Sequence, residues 1–394
     1  MMKESKHTIL IICEGESTEP LFFNSIKDEI LSGTYDINAV INIRPEPREE
    51  DSDNTEKSPY KDERPKKQVR KARFLEEPEV ITGVPPAKWV KEGIKELENQ
   101  SYDEVWAVFD HDNHPARKEA FELSTMNING KKVNIAFSSR SFEYYILLHF
   151  ERIFKSFSET KCSETVNESG RRRRIYFNCG TNMHTKDCRG ERCILGYASS
   201  KNYWNMENYK RSLFPVIKNR LDRGFINSAW LRFKYQSNGN EIPVYDRNPY
   251  VTTDLLIKRL VGKDDFEWIW TSTDYNLRGI QVHLIDGLGV RIRNDRGTSI
   301  LLQEDSFRII DDSGRVIIPL GKRTILNPND EYIITIDLSK ISASQVVSFN
   351  FERSTILFSF SNSTANIENL IRQLRSLSHK DLLELYEMLR RELR

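Results

Sequence analysis

No run of the sequence stays apolar for the roughly 20 residues that a membrane-crossing helix needs, and the opening "MMKESKHTIL" has no signal-peptide pattern. A soluble, cytoplasmic protein with no membrane partner is expected. Cysteine is scarce, five in 394 residues, and an odd count in so large a chain argues against a disulfide framework. An excess of one charge sign is missing as well. Lys and Arg total 59 and Asp and Glu 58, a formal net charge of +1, so any basic surface for a nucleic acid has to be local. There is no Gly-x4-Gly-Lys-Ser/Thr: "GRVIIPLGKR" has the wrong spacing and no hydroxyl after the lysine, which excludes P-loop ATP hydrolysis by this chain. His-Glu-x2-His and Gly-x-Ser-x-Gly are absent too, against metalloprotease and esterase chemistry. No internal repeat occurs at solenoid periods.

What is present has room for about two or three domains. Residues 1–155 alternate strand-like and helix-like runs: "HTILIICEG", "STEPLFFNSIKDEILS" with a Ser17/Thr18 cap, "DINAVINIRP", "PPAKWVKEGIKELEN", "YDEVWAVFD", "ARKEAFELSTM", "KKVNIAFSS" and "SFEYYILLHFERIF". Such alternation implies right-handed crossovers and a mostly parallel, Rossmann-like α/β sheet. Residues 46–80 interrupt it. Their first 28 positions carry 17 charges and almost nothing apolar, a mobile insertion unable to offset its ordering entropy. Residues 156–265 read as a helical and irregular middle region, with helical stretches in "SETVNESGRRRRIYF" and "YWNMENYKRSLFPVIKNRLDR" and a helix in "NPYVTTDLLIKRLVGKDD". From about 275 to 362, short alternating runs broken by Asp-Gly, Ser-Gly and Asn-Pro predict an antiparallel β-sandwich-like domain. Residues 364–394 predict two terminal helices, the second capped by Ser378. Their leucines make a stripe that either closes an internal core or docks a partner or a second copy, as the β domain could.

The chemistry gathers at strand ends, where open α/β sheets place their sites. "VWAVFDHDNH" ends a buried-looking strand in Asp110 and Asp112. Residues i and i+2 of an extended chain point the same way, and unit charges about 4 Å apart repel by roughly 4 kcal/mol near a protein surface. Water or a cation has to offset that. "CEGESTEP" puts Glu14 after the first strand, and "SSRSFE" puts Glu143 after the fourth. If these strands are neighbours, Glu14, Asp110, Asp112 and Glu143 converge on one patch of oxygen donors suited to Mg²⁺ or Mn²⁺. Glu16 and Glu19 read instead as first-turn acids favoured by the helix dipole. Asp110 and Asp112 could equally be a solvated turn with a helix cap. His111, His114, Arg140 and Lys201 are candidate phosphate contacts.

"ICEGE" followed by "FDHD" resembles the Toprim domain, and "IICEGESTEPLFF", "VWAVFDHD" and "SFEYYILLHFE" together resemble the RloB-like proteins, found with restriction and abortive-infection systems. The resemblance covers roughly residues 5–155, and "NPYVTTDLLIKRL" stands where the family region would end. It implies a Mg²⁺- or Mn²⁺-dependent Toprim nuclease hydrolysing DNA or RNA in anti-phage defence, often beside a partner ATPase. In that reading Glu14 ligates metal or acts as general base, Asp110 and Asp112 ligate metal, and Glu143 completes the set. A non-catalytic Toprim scaffold binding nucleic acid or a partner protein is the alternative. An aspartyl-nucleophile phosphatase is disfavoured, because its Asp-x-Asp normally follows the first strand and here follows the third.

"NCGTNMHTKDCRGERC" supplies Cys179, His184, Cys188 and Cys193, enough for a tetrahedral structural Zn²⁺, with Cys162 as a substitute ligand. The other reading is unpaired thiols in a polar loop. Arg171, Arg172, Arg173 and Arg174 form either a solvated basic loop or a nucleic-acid contact.

Overall fold

The isoleucine-rich run at the start of the chain forms β1 (His7–Cys13). Ile9, Leu10, Ile11 and Ile12 are at most 2% exposed, the mark of a strand covered on both faces. The structure is a computed structural model, and it describes residues 6–46, 85–111, 116–168, 171–177, 179, 188–204, 209–237, 242–272, 274–285, 289–311, 316–319, 322–336, 341 and 345–358. Residues 47–80 of the expected insertion, Asp112, His114, His184 and the expected terminal helices lie outside the described residues. The chain divides into two compact units, Met1–Asp265 and Phe266–Arg394.

In the first unit, β1 leads through α1 (Thr18–Leu31) to β2 (Ala39–Arg44). There follow α2 (Ala87–Glu98), β3 (Glu104–Asp110), α3 (Arg117–Ser124), β4 (Val133–Ser139) and α4 (Phe142–Leu147). Strands run β2-β1-β3-β4, all parallel, with β7 (Tyr250–Val251) antiparallel at the edge. Leu10 and Ile12 of β1 and Val105, Ala107 and Phe109 of β3 bury against Val90, Ile94 and Leu97 of α2 and Ala120 of α3. α1 lies on α4 through Phe22 and Phe142, whose ring centroids are 5.0 Å apart. Ser17 precedes α1, but its hydroxyl makes no capping bond; it accepts from Lys210 Nζ at 3.0 Å instead.

The middle region holds β5 (Cys162–Glu168), β6 (Arg171–Phe177), α5 (Ile194–Ser200), α6 (Tyr209–Ile217) and α7 (Leu221–Ser237). Here the helix expected in "SETVNESGRRRRIYF" is overturned. The segment is an antiparallel hairpin, with Cys162 opposite Phe177 and Glu168 opposite Arg171. Arginine is a good helix former in isolation, but Thr165, Val166, Ile175, Tyr176 and Phe177 favour a pleated strand, and cross-strand pairing decided the outcome.

The chain then returns to the sheet. Thr252 N–H donates to Phe137 O at 2.8 Å, Phe137 N–H donates to Thr252 Oγ1 at 3.0 Å, and the Ser138 and Thr253 hydroxyls meet at 2.8 Å. α8 (Thr253–Leu260) carries the fully buried Asp254, which receives both terminal nitrogens of Arg232 on α7, at 2.5 and 2.8 Å. This return clamps the end of β4, the strand that leads to Arg140 and Glu143.

Beneath α4 and α7 sits His149, fully buried, its Nδ1 3.0 Å from Tyr145 O. Burial pulls its pKa from 6.5 down to about 4. An unfolded chain therefore binds a proton that the native state refuses, so the neutral ring's contribution is whole above pH 6.5 and is lost as pH falls toward 4. The effect is on the order of 3 kcal/mol. Urea unfolding at pH 7.5 and 4.5 is expected to show a smaller acid-induced loss for His149→Gln than for wild type; equal losses would contradict this account.

The second unit starts earlier than the change of texture at 275, with β8 (Glu267–Thr271), then β9 (Asp274–Leu277), β10 (Ile280–Ile285), β11 (Gly289–Asn294), β12 (Ile300–Leu302) and β13 (Phe307–Ile310). β14 (Val316–Pro319), β15 (Thr324–Leu326), β16 (Glu331–Thr335), β17 (Val346–Phe351) and β18 (Ser354–Phe358) complete it. A four-stranded sheet (β16-β11-β10-β9), a five-stranded sheet (β14-β13-β17-β18-β8) and the pair β12-β15 share one core, with Val282, Ile292, Leu302, Phe349 and Ile356 inside it. Pairing is antiparallel except for β8, which runs parallel to β18 at the sheet edge. The Asn-Pro signal is the turn between β15 and β16, closed by Asn327 N–H donating to Asp330 Oδ2 at 2.8 Å.

Candidate active site

Parallel pairing of β1, β3 and β4 brings their carboxyl ends side by side, and the chemistry follows from that alignment. Glu14 is the first residue beyond β1; its N–H donates to Val108 O on β3 at 2.9 Å, and its Oε2 accepts from Asp110 N–H at 2.9 Å. The Glu14 carboxylate is thus held against the end of β3, and Asp110 is the last residue of that strand. One residue on, His111 N–H donates to Ser138 O of β4 at 2.9 Å. β4 delivers Ser141 and Glu143, whose buried Oε2 accepts from Ser141 Oγ at 2.7 Å.

Glu19, read from sequence as a first-turn acid, belongs to the same patch. It is 5% exposed, and its carboxyl is pushed up to about 7, first by burial and further by the charges of Glu143 and Glu14. Lys210 and the helix backbone pull the other way without winning. Gly15 makes the approach possible: a Cβ there would lie 2.2 Å from Glu19 Oε2. Glu16, by contrast, is exposed.

Cationic groups border the acids. Arg140 and Arg117 each reach His111 O, at 3.4 Å, and Lys210 stands at Ser17. Burial, then these two arginines, lowers His111 to about 4, so its ring is neutral near pH 7. Lys201 is elsewhere, just after α5, with Nζ 5.8 Å from the Tyr197 ring centre. The backbone of Arg171–174 lies in β6, in a hairpin separate from the sheet that carries the acids. Lys210 escaped sequence reading, and Glu19, which does stand in the first turn of α1 as expected, was not read as part of the acidic patch. The available signal was Glu19's position on the apolar face of α1 beside Phe22 and Phe23.

A second cluster combines Cys162, Cys179, Cys188 and Cys193, all buried, with Sγ atoms within 4.8 Å of one another; this group could hold a metal ion. Cys162 is its fourth member among the described residues, whereas the expected His184 lies outside them. Among those residues the acids form no equally tight set. Burial resists ionisation of Cys188, but hydrogen bonding with the Arg192 backbone and with the Cys162 and Cys193 side chains brings it down to about 6.

A family profile described as RloB-like protein matches residues 9–260, from within β1 to the last residue of α8. No curated protein and no solved structure matches.

Proposed function

The chain belongs to the RloB-like family, and from that premise we propose that it is a divalent-metal-dependent nuclease of the Toprim kind, hydrolysing DNA or RNA phosphodiesters as an effector of anti-phage defence. The observation that carries the reading is the Glu14 carboxylate seated on Asp110 beside the buried Glu19 and Glu143.

The donor set fits a hard cation. Every candidate ligand is a carboxylate oxygen, and burial, with the added charges of Glu143 and Glu14, drives Glu19 toward holding a proton at neutral pH. Glu14, Asp110 and Glu143, with Asp112 and Glu19, would hold Mg²⁺ or Mn²⁺. Such an ion supplies a water of lowered pKa and offsets charge growing on the phosphate. The chain's own groups do the rest. Glu14 takes the proton of the attacking water on its carboxylate, Arg140 and Lys210 hold the phosphate, and Ser141 fixes the Glu143 carboxylate. ATP hydrolysis, where the system needs it, comes from a partner ATPase.

Purified full-length chain incubated with plasmid, tRNA and total RNA, with and without Mg²⁺ or Mn²⁺, is expected to cut at least one of them only when the ion is present. Binding without turnover under every condition would favour the non-catalytic scaffold instead.

A further inference from the structure

We propose that Cys162, Cys179, Cys188 and Cys193 form a closed, structural Zn²⁺ site that clamps the base of the β5–β6 hairpin to the start of α5. The hairpin supplies two of the thiols. Cys162 opens β5 opposite Phe177, and Cys179 stands two residues beyond β6, so strand pairing brings the hairpin's ends together. The loop before α5 supplies the other two. Cys188 O accepts from Glu191 N–H at 2.8 Å, a turn that carries the chain back to Cys193, the residue that caps the start of α5 and takes Gly196 N–H on its sulfur at 3.2 Å.

The spacing suits a tetrahedral ion. Four sulfurs about 2.3 Å from zinc stand about 3.8 Å apart; Cys179 and Cys188 are separated by 3.7 Å, and Cys188 and Cys193 by 3.5 Å. A disulfide would draw two sulfurs to about 2.05 Å, and all five cysteines are free. The thiols are 0, 3, 8 and 0% exposed and form a buried cluster of their own, apart from the core under the sheet. No space is left for a fifth group on the α5 side: a Cβ at Gly196 would lie 2.7 Å from Cys179 Sγ and 2.8 Å from Cys193 Sγ. Four protein thiolates leave no open position, which makes the site structural, and soft sulfur donors in tetrahedral array select zinc or iron over the hard cations suited to carboxylates.

Metal analysis of the purified full-length chain, reconstituted under reducing conditions with Zn²⁺, is expected to find roughly one tightly held Zn²⁺ per chain. Cys162→Ser should lose it, while His184→Ala and Cys13→Ala should keep it. Because Cys162→Ser could fail by misfolding, Co²⁺ replacement in the wild type provides an independent reading. Strong thiolate-to-metal bands with tetrahedral ligand-field absorption are expected, and a mercurial titration should release the ion as four thiols react. No retained metal, iron in place of zinc, or zinc lost in His184→Ala but kept in Cys162→Ser would each overturn the assignment. None of these measurements depends on nuclease activity, so the site stands or falls separately from the proposed hydrolysis.

Discussion

Asp110→Asn is expected to reduce metal-dependent cleavage on the order of a thousandfold or more while leaving the protein at least as stable as wild type in metal-free buffer. The two halves of the expectation have one cause. Asp110 is half-exposed at the end of β3, and the bond it makes to Glu14 comes from its backbone N–H, which asparagine keeps. The substitution therefore removes a negative charge from beside Glu14, whose charge with that of Glu143 adds to the burial that pushes Glu19 up, and relieves repulsion. An acid kept for packing would lose stability when neutralised; one kept to bind a cation loses activity instead. Steady-state cleavage together with thermal unfolding in chelator decides between them. Unchanged cleavage in Asp110→Asn contradicts the proposed chemistry, and a large fall in melting temperature marks Asp110 as structural.

Asp254→Ala is expected to destabilise the first unit by about 3–5 kcal/mol, the cost of leaving a buried cation without its partner. Asp254 is fully buried, and Arg232 meets it with two nitrogens while also donating to Val251 O at 2.9 Å. The pair ties α7 to α8 and β7, and through Thr252 and Thr253 to the end of β4, so its loss also loosens the platform from which Arg140 and Glu143 project. Urea unfolding followed by the tryptophans of the first unit, with those of the second replaced, measures the effect. Because replacing both partners removes the orphaned charge, Arg232→Met/Asp254→Leu should recover much of the loss. A fall below about 1 kcal/mol in the single variant would mean that water screens the pair and that the clamp lies elsewhere.

The sheet was legible because its signals are local. "ILIIC" and "VWAVF" are continuous apolar runs too short for helices, and Glu14 just after the first and Asp110 just after the second lie at the strand ends. What escaped depends on contacts between distant residues. Glu19 looks like any first-turn acid until the fold places Glu14 and Glu143 beside it. Cys162, named from sequence only as a substitute ligand, stands far from the other thiols along the chain, and the hairpin register brings it to them. That hairpin was itself hidden, since a run of arginines has helix propensity and β5 has little apolar pattern to oppose it. β8 was missed because its partner, β18, lies at the far end of the unit and pairs with it in parallel, leaving no turn signal between them.

The most direct test of the central claim is calorimetric titration of the metal-free full-length chain with Mg²⁺ and Mn²⁺ near pH 7, repeated in buffers of different ionisation heat and with Glu14→Gln. Saturable uptake that releases protons, because Glu19 gives up its proton when a cation enters, and that is lost or much weakened in Glu14→Gln, is the predicted result. The absence of saturable uptake in the wild type, or uptake indifferent to Glu14, would contradict it.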